Sequence, residues 1–492
     1  MTSGSPPVVR VRSGAVRCRL ESGLAVFRGI PFAEPGERFG APEAVEAWDG
    51  TRDGASFGPP PPQSALVGST GPSGDHGWLT ANVWTPDPAA DLPVMVWVQG
   101  GGYLFGTSGL PEYDGGRLAR EGGVVVVTFN YRLGPEGFAL VDGAPANRGL
   151  LDQVAALHWV RENIGAFGGD PDRVTVFGQS AGGGCVAALL AMPLADGLFR
   201  RAVVQSMPGV YLTPALAADI AQALAAGCDV GRGDLASVAP GVLSAAADTL
   251  LATIGRYTDR WGLAAHRSVP LGPVVDADTL PTEPWAALAQ GAARDVDLLV
   301  GHVRHEQRLF SLMEGTLGRV TQEQADAALH LFAPRPDGAD RYRAAGGGAE
   351  ELYDRVHSDW LFRMPSLHLG EAHRGRTHVY ELTWPAPGLG GALGACHGLD
   401  VPLVFGNLTL GQPALLLGDD IAEAEAVSAQ VRAAWTRFAT TGEPGWAAYD
   451  SPERRTRVLD VEPATVPYPE EASRLIWQDH TFAALDLATD PG

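Results

Sequence analysis

The chain has 492 residues, 45% of them hydrophobic. That exceeds a single core of roughly 250–300 residues, so length alone allows two or three domains. Its 63 glycines and 38 prolines follow no period, which excludes a collagen-like chain and fits a loop-rich globular enzyme. The balance of 57 acidic against 36 basic residues, all of the latter arginine, gives a net charge of −21. That charge argues against nucleic acid and anionic membrane surfaces as partners and favours solubility.

Residues 1–14 (MTSGSPPVVRVRSG) contain no apolar h-region, so no signal peptide is expected. The longest apolar run, 124–129, has the length of a strand and is too short to cross a bilayer. The reading is a soluble, cytoplasmic protein. The proline run 59–62 reads as a rigid turn. The segments 93–99 (PVMVWVQ), 123–130 (GVVVVTFN) and 173–178 (RVTVFG) are continuous β-branched runs, the pattern of strands buried on both faces. The stretches 150–163 and 184–192 read as helices, and strand–helix alternation implies a parallel sheet covered by helices. Further strands are expected at 201–205, 297–303 and 377–383, and a helix at 419–441 stopped by Gly442 and Pro444. Residues 209–375 turn mostly helical and irregular, as insertions over one end of a sheet would. With no Ser/Gly linker, residues 1–492 are expected to form one domain. Cys18, Cys185, Cys228 and Cys396 show no metal-ligand spacing and are expected to be free thiols.

The string VTVFGQSAGGG at 174–184 holds G-x-S-x-G as Gly178-Gln179-Ser180-Ala181-Gly182. With a strand before it and an Ala/Leu helix after it, the string has the context of a nucleophile elbow. There, glycines let strand and helix nearly touch and hold Ser180 Oγ out of the sheet. An ordinary glycine-rich turn is the competing explanation. A second element, Gln99-Gly100-Gly101-Gly102-Tyr103, follows the strand VMVWV. Consecutive glycines allow backbone N–H groups to approach a substrate carbonyl, as an oxyanion hole requires. A flexible loop would be the plainer explanation.

These strings resemble the type-B carboxylesterase/cholinesterase family of the α/β-hydrolase fold. The resemblance extends along nearly the whole chain. Phe27-Arg28-Gly29-Ile30-Pro31-Phe32-Ala33, Asn82-Val83-Trp84-Thr85-Pro86, Asn130-Tyr131-Arg132 and Asn147-Arg148-Gly149-Leu150-Leu151-Asp152-Gln153 match family strings in order. So do Phe167-Gly168-Gly169-Asp170-Pro171 and Phe438-Ala439-Thr440-Thr441-Gly442-Glu443-Pro444. The resemblance implies a large, mostly parallel twisted sheet with helices on both faces and helical insertions over the active site. It implies Ser180 as nucleophile and the N–H groups of Gly101, Gly102 and Ala181 as oxyanion hole. The acid is then Glu306, in Gly301-His302-Val303-Arg304-His305-Glu306-Gln307, and the base His397, in Gly394-Ala395-Cys396-His397-Gly398-Leu399-Asp400. Ser180, Glu306 and His397 follow the nucleophile–acid–histidine order of α/β-hydrolases. Arg132 and Asp152 match a structural ion pair, and Ser206, Gln99 and Gln179 are expected to support the site from behind. Asp276 and Asp278 compete with Glu306 as the acid. Glu306 is favoured because it follows a strand end.

Departures from the family pattern are visible too. Gln99 stands where His or Tyr is usual. The cysteine strings of secreted members appear as Pro61-Pro62-Gln63 and His76-Gly77-Trp78-Leu79, without cysteine, which fits a reducing compartment. The acidic pair expected to face Arg38 is missing. Tyr103, Phe105 and Trp261 are candidate lining residues, although large aromatics are more often core. The expected reaction is hydrolysis of a small-molecule carboxylic ester through an acyl-enzyme, with no metal or cofactor, in a monomer or homodimer. Gln99 leaves open a thioesterase, an amidase or carbamate hydrolase, an acyltransferase or a lyase with the same triad. A non-catalytic binding protein is disfavoured because all three triad positions are kept.

Overall fold

A computed structural model describes residues 7–65, 77–266, 270–419 and 421–488. Residues 1–6, His76 and Asp420, which enter the expectations above, lie outside them. The β-branched runs assemble into one eleven-stranded sheet. In chain order its strands are β1 (Arg19–Glu21), β2 (Leu24–Pro31), β3 (Thr80–Thr85), β4 (Leu92–Val98), β5 (Val125–Phe129) and β6 (Gly169–Gln179). They continue with β7 (Arg201–Gln205), β8 (Asp297–Val303), β9 (Thr377–Leu382), β10 (Arg455–Leu459) and β11 (Ala464–Pro467). Their spatial order is β11-β10-β9-β8-β7-β6-β4-β5-β3-β2-β1.

Strands β5, β4, β6, β7, β8, β9 and β10 are mutually parallel, and the outer strands at both edges pair antiparallel. This explains why the central strands read as unbroken apolar runs. Helices cover both faces, so no residue of β5, β7 or β8 is left in water. Two buried apolar clusters flank the sheet: one contains Val96, Val176, Val204 and Val300, the other Met95, Trp97, Phe177 and Val203. Neighbouring residues of one strand thus alternate between the two clusters.

Three of the covering helices position the site: α1 (Arg148–Asn163), α2 (Ala181–Ala191) and α3 (Glu306–Met313). Two more lie near the end of the chain, α4 (Asp400–Phe405) and α5 (Ala422–Thr441). The sequence places the strand ends within a few residues, with 201–205 and 297–303 matching. The helix expected from 184 starts at Ala181, because the turn at Ser180 leads into the helix without a connecting loop. Between β7 and β9 the described chain is mainly helical, with β8 running through it.

Arg132, at the exit of β5, and Asp152 of α1 form a fully buried pair. The guanidinium donates to the carboxylate at 2.7 and 2.9 Å, and the Arg132 backbone N–H adds a third bond at 2.9 Å. Arg38 finds a different partner from the missing acidic pair, meeting Glu136 at 2.5 Å and the carbonyls of Ala236 and Val238. All four cysteines are free, and Cys228 alone is not fully buried. Burial pushes the thiols of Cys185 and Cys396 up to about 12, so neither is a reactive thiolate.

Candidate active site

Ser180 sits between the last residue of β6 and the first of α2, with φ 57° and ψ −127°. Few residues other than glycine hold such a backbone, and strain of this kind gathers at functional sites. The surrounding glycines are required by space. A Cβ on Gly178 would lie 2.6 Å from the Gly182 backbone, and one on Gly182 would lie 2.1 Å from the Val98 carbonyl oxygen. Strand, helix and the neighbouring β4 are in backbone contact here, as the elbow predicts. The Ser180 N–H donates to the Gln205 carbonyl at 2.9 Å, which fixes the turn to the end of β7.

The glycine loop after β4 bends back over this turn. Gly101, Gly102 and Tyr103 all have positive φ, at 106°, 59° and 63°. Their backbone folds into a tight turn in which the Leu104 and Phe105 N–H groups donate to the Gly101 carbonyl. Among the described residues the N–H groups of Gly101, Gly102 and Ala181 make no hydrogen bond, leaving them available to a ligand oxygen. Gln63 holds the loop from outside: its side chain accepts from the Gly106 N–H at 2.9 Å and donates to the Gly106 carbonyl at 3.1 Å. Gln99 is buried beneath it. Its backbone carbonyl accepts from Tyr131 Oη at 2.7 Å, while its side-chain amide makes no hydrogen bond among the described residues.

Glu306 and His397 arrive from two further strand ends. Glu306 opens α3, three residues past the end of β8, and His397 lies in the loop after β9. His397 Nδ1 meets Glu306 Oε2 at 2.5 Å, and the other carboxylate oxygen accepts from the Val303 N–H at 3.0 Å. The two loops are clamped by a short bridge. The His305 N–H donates to the Ala395 carbonyl at 2.9 Å, and the Ala395 N–H donates to His305 Nδ1 at 3.2 Å. Burial holds the His305 imidazole down to about 3, so it stays neutral and can accept that bond. The rings of Phe310 and Phe362 pack against the His397 ring with centroids 5.2 and 4.3 Å away.

Behind Glu306 lies a buried charge cluster with no motif of its own. The turn Asp359–Arg363 is a π-helix, a form that gathers at functional sites. It delivers Phe362 to His397 and turns Arg363 the other way. Arg363 donates to the Arg304 carbonyl at 3.1 Å and to Glu470 at 2.6 Å, and pairs with Asp359 at 2.9 Å. Its guanidinium holds Glu470 well below the ordinary carboxylate range. Asp400 is a second buried carboxyl near Glu306 and His397, pushed up to about 6 by desolvation. It accepts from Gln205 at 2.7 Å and from Tyr380 at 3.3 Å.

Most residues singled out from sequence meet at this one sheet edge. Ser206 follows β7 with φ 48°, its N–H donating to the Gly301 carbonyl at 2.8 Å and its Oγ buried without a partner among the described residues. Asp276 is elsewhere employed, accepting from Asn147 at 2.9 Å and from the N–H groups of Asp278 and Thr279 in its own turn. Trp261 is core rather than lining, stacked on Tyr257 at 4.0 Å and donating to Asp219 at 2.6 Å. Phe310, Phe362 and Arg363 also belong to this region. No local pattern marks them, because each reaches the site from a helix in the irregular middle of the chain.

A serine on an elbow beside a glycine loop, with a buried histidine–carboxylate pair held against the residue that precedes the serine, is an arrangement expected of a serine hydrolase. The carboxylesterase family model matches residues 5–466. The chain belongs to the carboxylesterase family. It is 37% identical to the para-nitrobenzyl esterase of Bacillus subtilis over 95% of this chain and 97% of that protein. It is 33% identical to the phenmedipham hydrolase of Pseudarthrobacter oxydans over 89% of this chain and 90% of that one. A solved para-nitrobenzyl esterase structure superposes with TM-score 0.84 at 36% identity, covering 96% and 99% of the two chains. A Geobacillus stearothermophilus carboxylesterase gives 0.85 at 34%, covering 96% and 100%. The chain is therefore a serine carboxylic-ester hydrolase of the α/β-hydrolase fold. No described helix is long and apolar enough to cross a membrane.

Proposed function

We propose that Ser180, His397 and Glu306 are the nucleophile, base and acid of this esterase, and that the N–H groups of Gly101, Gly102 and Ala181 hold the oxyanion. The observation that carries the assignment is the 2.5 Å contact between His397 Nδ1 and Glu306 Oε2 at the strand edge that bears the strained Ser180. With the proton on Nδ1 held by Glu306, Nε2 takes the proton of Ser180 as Oγ attacks the ester carbonyl. The oxyanion of the tetrahedral intermediate is met by backbone donors, each worth roughly 10²–10³ in rate. The imidazolium then protonates the leaving alcohol. Water repeats the two steps on the acyl-enzyme and releases the acid. No step calls for a metal or cofactor.

Gln99, Gln179 and Ser206 support this machinery without touching the ester carbonyl. The whole chain acts as one domain, the helical insertions between residues 209 and 375 belonging to it, and works as a monomer or homodimer in the cytoplasm on a small-molecule ester. The aromatic wall of Phe310 and Phe362 beside His397 favours uncharged esters with an apolar group near the reacting carbon. Ser180→Ala is expected to abolish hydrolysis of p-nitrophenyl acetate and labelling by a fluorophosphonate, with an unchanged thermal midpoint. Retention of most activity in that folded variant would sink the assignment.

A further inference from the structure

Gln179 is the unspecified residue of the G-x-S-x-G string, and its side chain lies between two working parts of the site. On one side, its Oε1 would sit 3.4 Å from a Cβ placed on Gly100, the first glycine of the oxyanion loop. On the other, its amide nitrogen is 3.2 Å from Nε2 of His397. The tautomer of that imidazole follows from its other nitrogen. Glu306 can only accept, so Nδ1 carries the proton and Nε2 carries the lone pair. A group facing a lone pair must donate, and the amide NH2 of Gln179 does so. Among the described residues this is the hydrogen bond that Nε2 makes, so in this state the lone pair is held by the amide and not by Ser180.

Resting on the triad reading above, we propose that Gln179 is a positioning residue that holds His397 Nε2 between turnovers by hydrogen-bonding the neutral imidazole. When an ester enters, the Ser180 hydroxyl replaces the amide at Nε2. The bond from Oγ to the carbonyl carbon forms, the carbonyl π pair moves onto oxygen, and the Oγ proton moves to Nε2. Nε2–H is then a donor, and a half-turn of the amide presents Oε1 to accept it. A carboxamide serves both protonation states, which neither an apolar side chain nor a carboxylate does.

Other groups around the imidazole also carry or could carry charge. From α3 come Glu306 and Arg308, the latter paired with Asp354 at 3.3 Å. From the π-helical turn comes Arg363, held by Asp359 and Glu470. The end of β8 brings His302 and His305, both kept neutral by burial, and Arg304, paired with Glu381 at 3.0 Å. The histidine's own loop brings Cys396, and α4 brings Asp400. Asp400 titrates in the same range as a histidine, but its partners are Gln205 and Tyr380, so a substitution of Gln179 breaks none of its hydrogen bonds.

The test is the pH dependence of kcat/KM for p-nitrophenyl acetate in the wild type, Gln179→Met, Gln179→Leu and Gln179→Glu. Loss of the donor in either apolar variant is expected to move the acid limb up by about half to one pH unit. The glutamate, which favours the imidazolium, moves it up by about one to two units. Met and Leu are close in volume to Gln, so either suffices if its thermal midpoint matches the wild type. An acid limb that stays in place in both folded apolar variants overturns the proposal, whether activity falls uniformly or the glutamate alone shifts it. The two readings fail separately. An active Ser180→Ala removes the triad itself, while an inactive Ser180→Ala with unmoved limbs removes only the role of Gln179.

Discussion

Replacing Glu306 by glutamine changes one atom and tests the centre of the proposed mechanism. The carboxylate has two acceptor oxygens in use, one for His397 Nδ1 at 2.5 Å and one for the Val303 N–H at 3.0 Å. A carboxamide has only one acceptor. If its oxygen keeps the Val303 N–H, its NH2 faces Nδ1, the imidazole adopts the other tautomer, and Nε2 no longer has a lone pair for the Ser180 proton. If its oxygen turns to His397, the NH2 meets the Val303 N–H and a buried donor is left unpaired, at about 1–3 kcal/mol. That second orientation also exchanges a charge-assisted bond to the developing imidazolium for a neutral one, at roughly a further 1–2 kcal/mol. The fall in kcat/KM should therefore be about 30-fold to a few thousandfold, a tenfold loss corresponding to about 1.4 kcal/mol. Equivalent substitutions in Ser-His-Asp enzymes cost about 10⁴. The assay is hydrolysis of p-nitrophenyl acetate at pH 8, with Ser180→Ala as the baseline and thermal melting as the check on folding. Stability is expected to hold or rise, because Glu306 is fully buried and its charge is costly there. Activity within tenfold of the wild type would refute the reasoning.

The buried pair gives a prediction about stability alone. Arg132→Met takes all the guanidinium hydrogen bonds from buried Asp152 and leaves it only the backbone N–H of residue 132, so unfolding by urea should show a loss of about 3–5 kcal/mol; a loss below 1 kcal/mol would mean the carboxylate finds another partner. His302 bears on the pH dependence. Burial and Arg363 lower it from 6.5 to about 4, so in that window the unfolded chain takes up the proton and the folded protein does not. Stability is then present above pH 6.5 and lost as pH falls toward 4. In His302→Gln that loss, up to about 3 kcal/mol, should be absent, and melting curves that shift with pH in parallel for both proteins would contradict it.

How much of the site could be read before folding differs from residue to residue. Ser180 and its glycines were legible because the elbow is a local event. Strand, serine and helix are adjacent in the chain, and the clashes that exclude a Cβ at Gly178 and Gly182 involve backbone within a few residues or in the neighbouring strand. The strands were legible for a similar reason, since burial on both faces leaves unbroken apolar runs. Glu306 and His397 could be named by family resemblance, but the residues themselves offered Asp276 and Asp278 as competing acids. Gln99 and Gln179 could be flagged, while nothing local said that one amide would lie buried with no partner among the described residues and the other against His397.

What the sequence by itself determined is the local chemistry: a serine on a glycine-flanked turn between strand and helix, a glycine-rich loop after a second strand, and the class of sheet that carries them. Tertiary structure decided which distant residues serve that serine. Glu306 and His397 are 91 residues apart, and Gln179 and His397 are 218 apart. Their meeting depends on β6, β8 and β9 ending at one edge and on the bridge between His305 and Ala395. Backbone strain and periodicity act over a few residues and leave a mark in the sequence. A contact set by strand order leaves none until the sheet has formed.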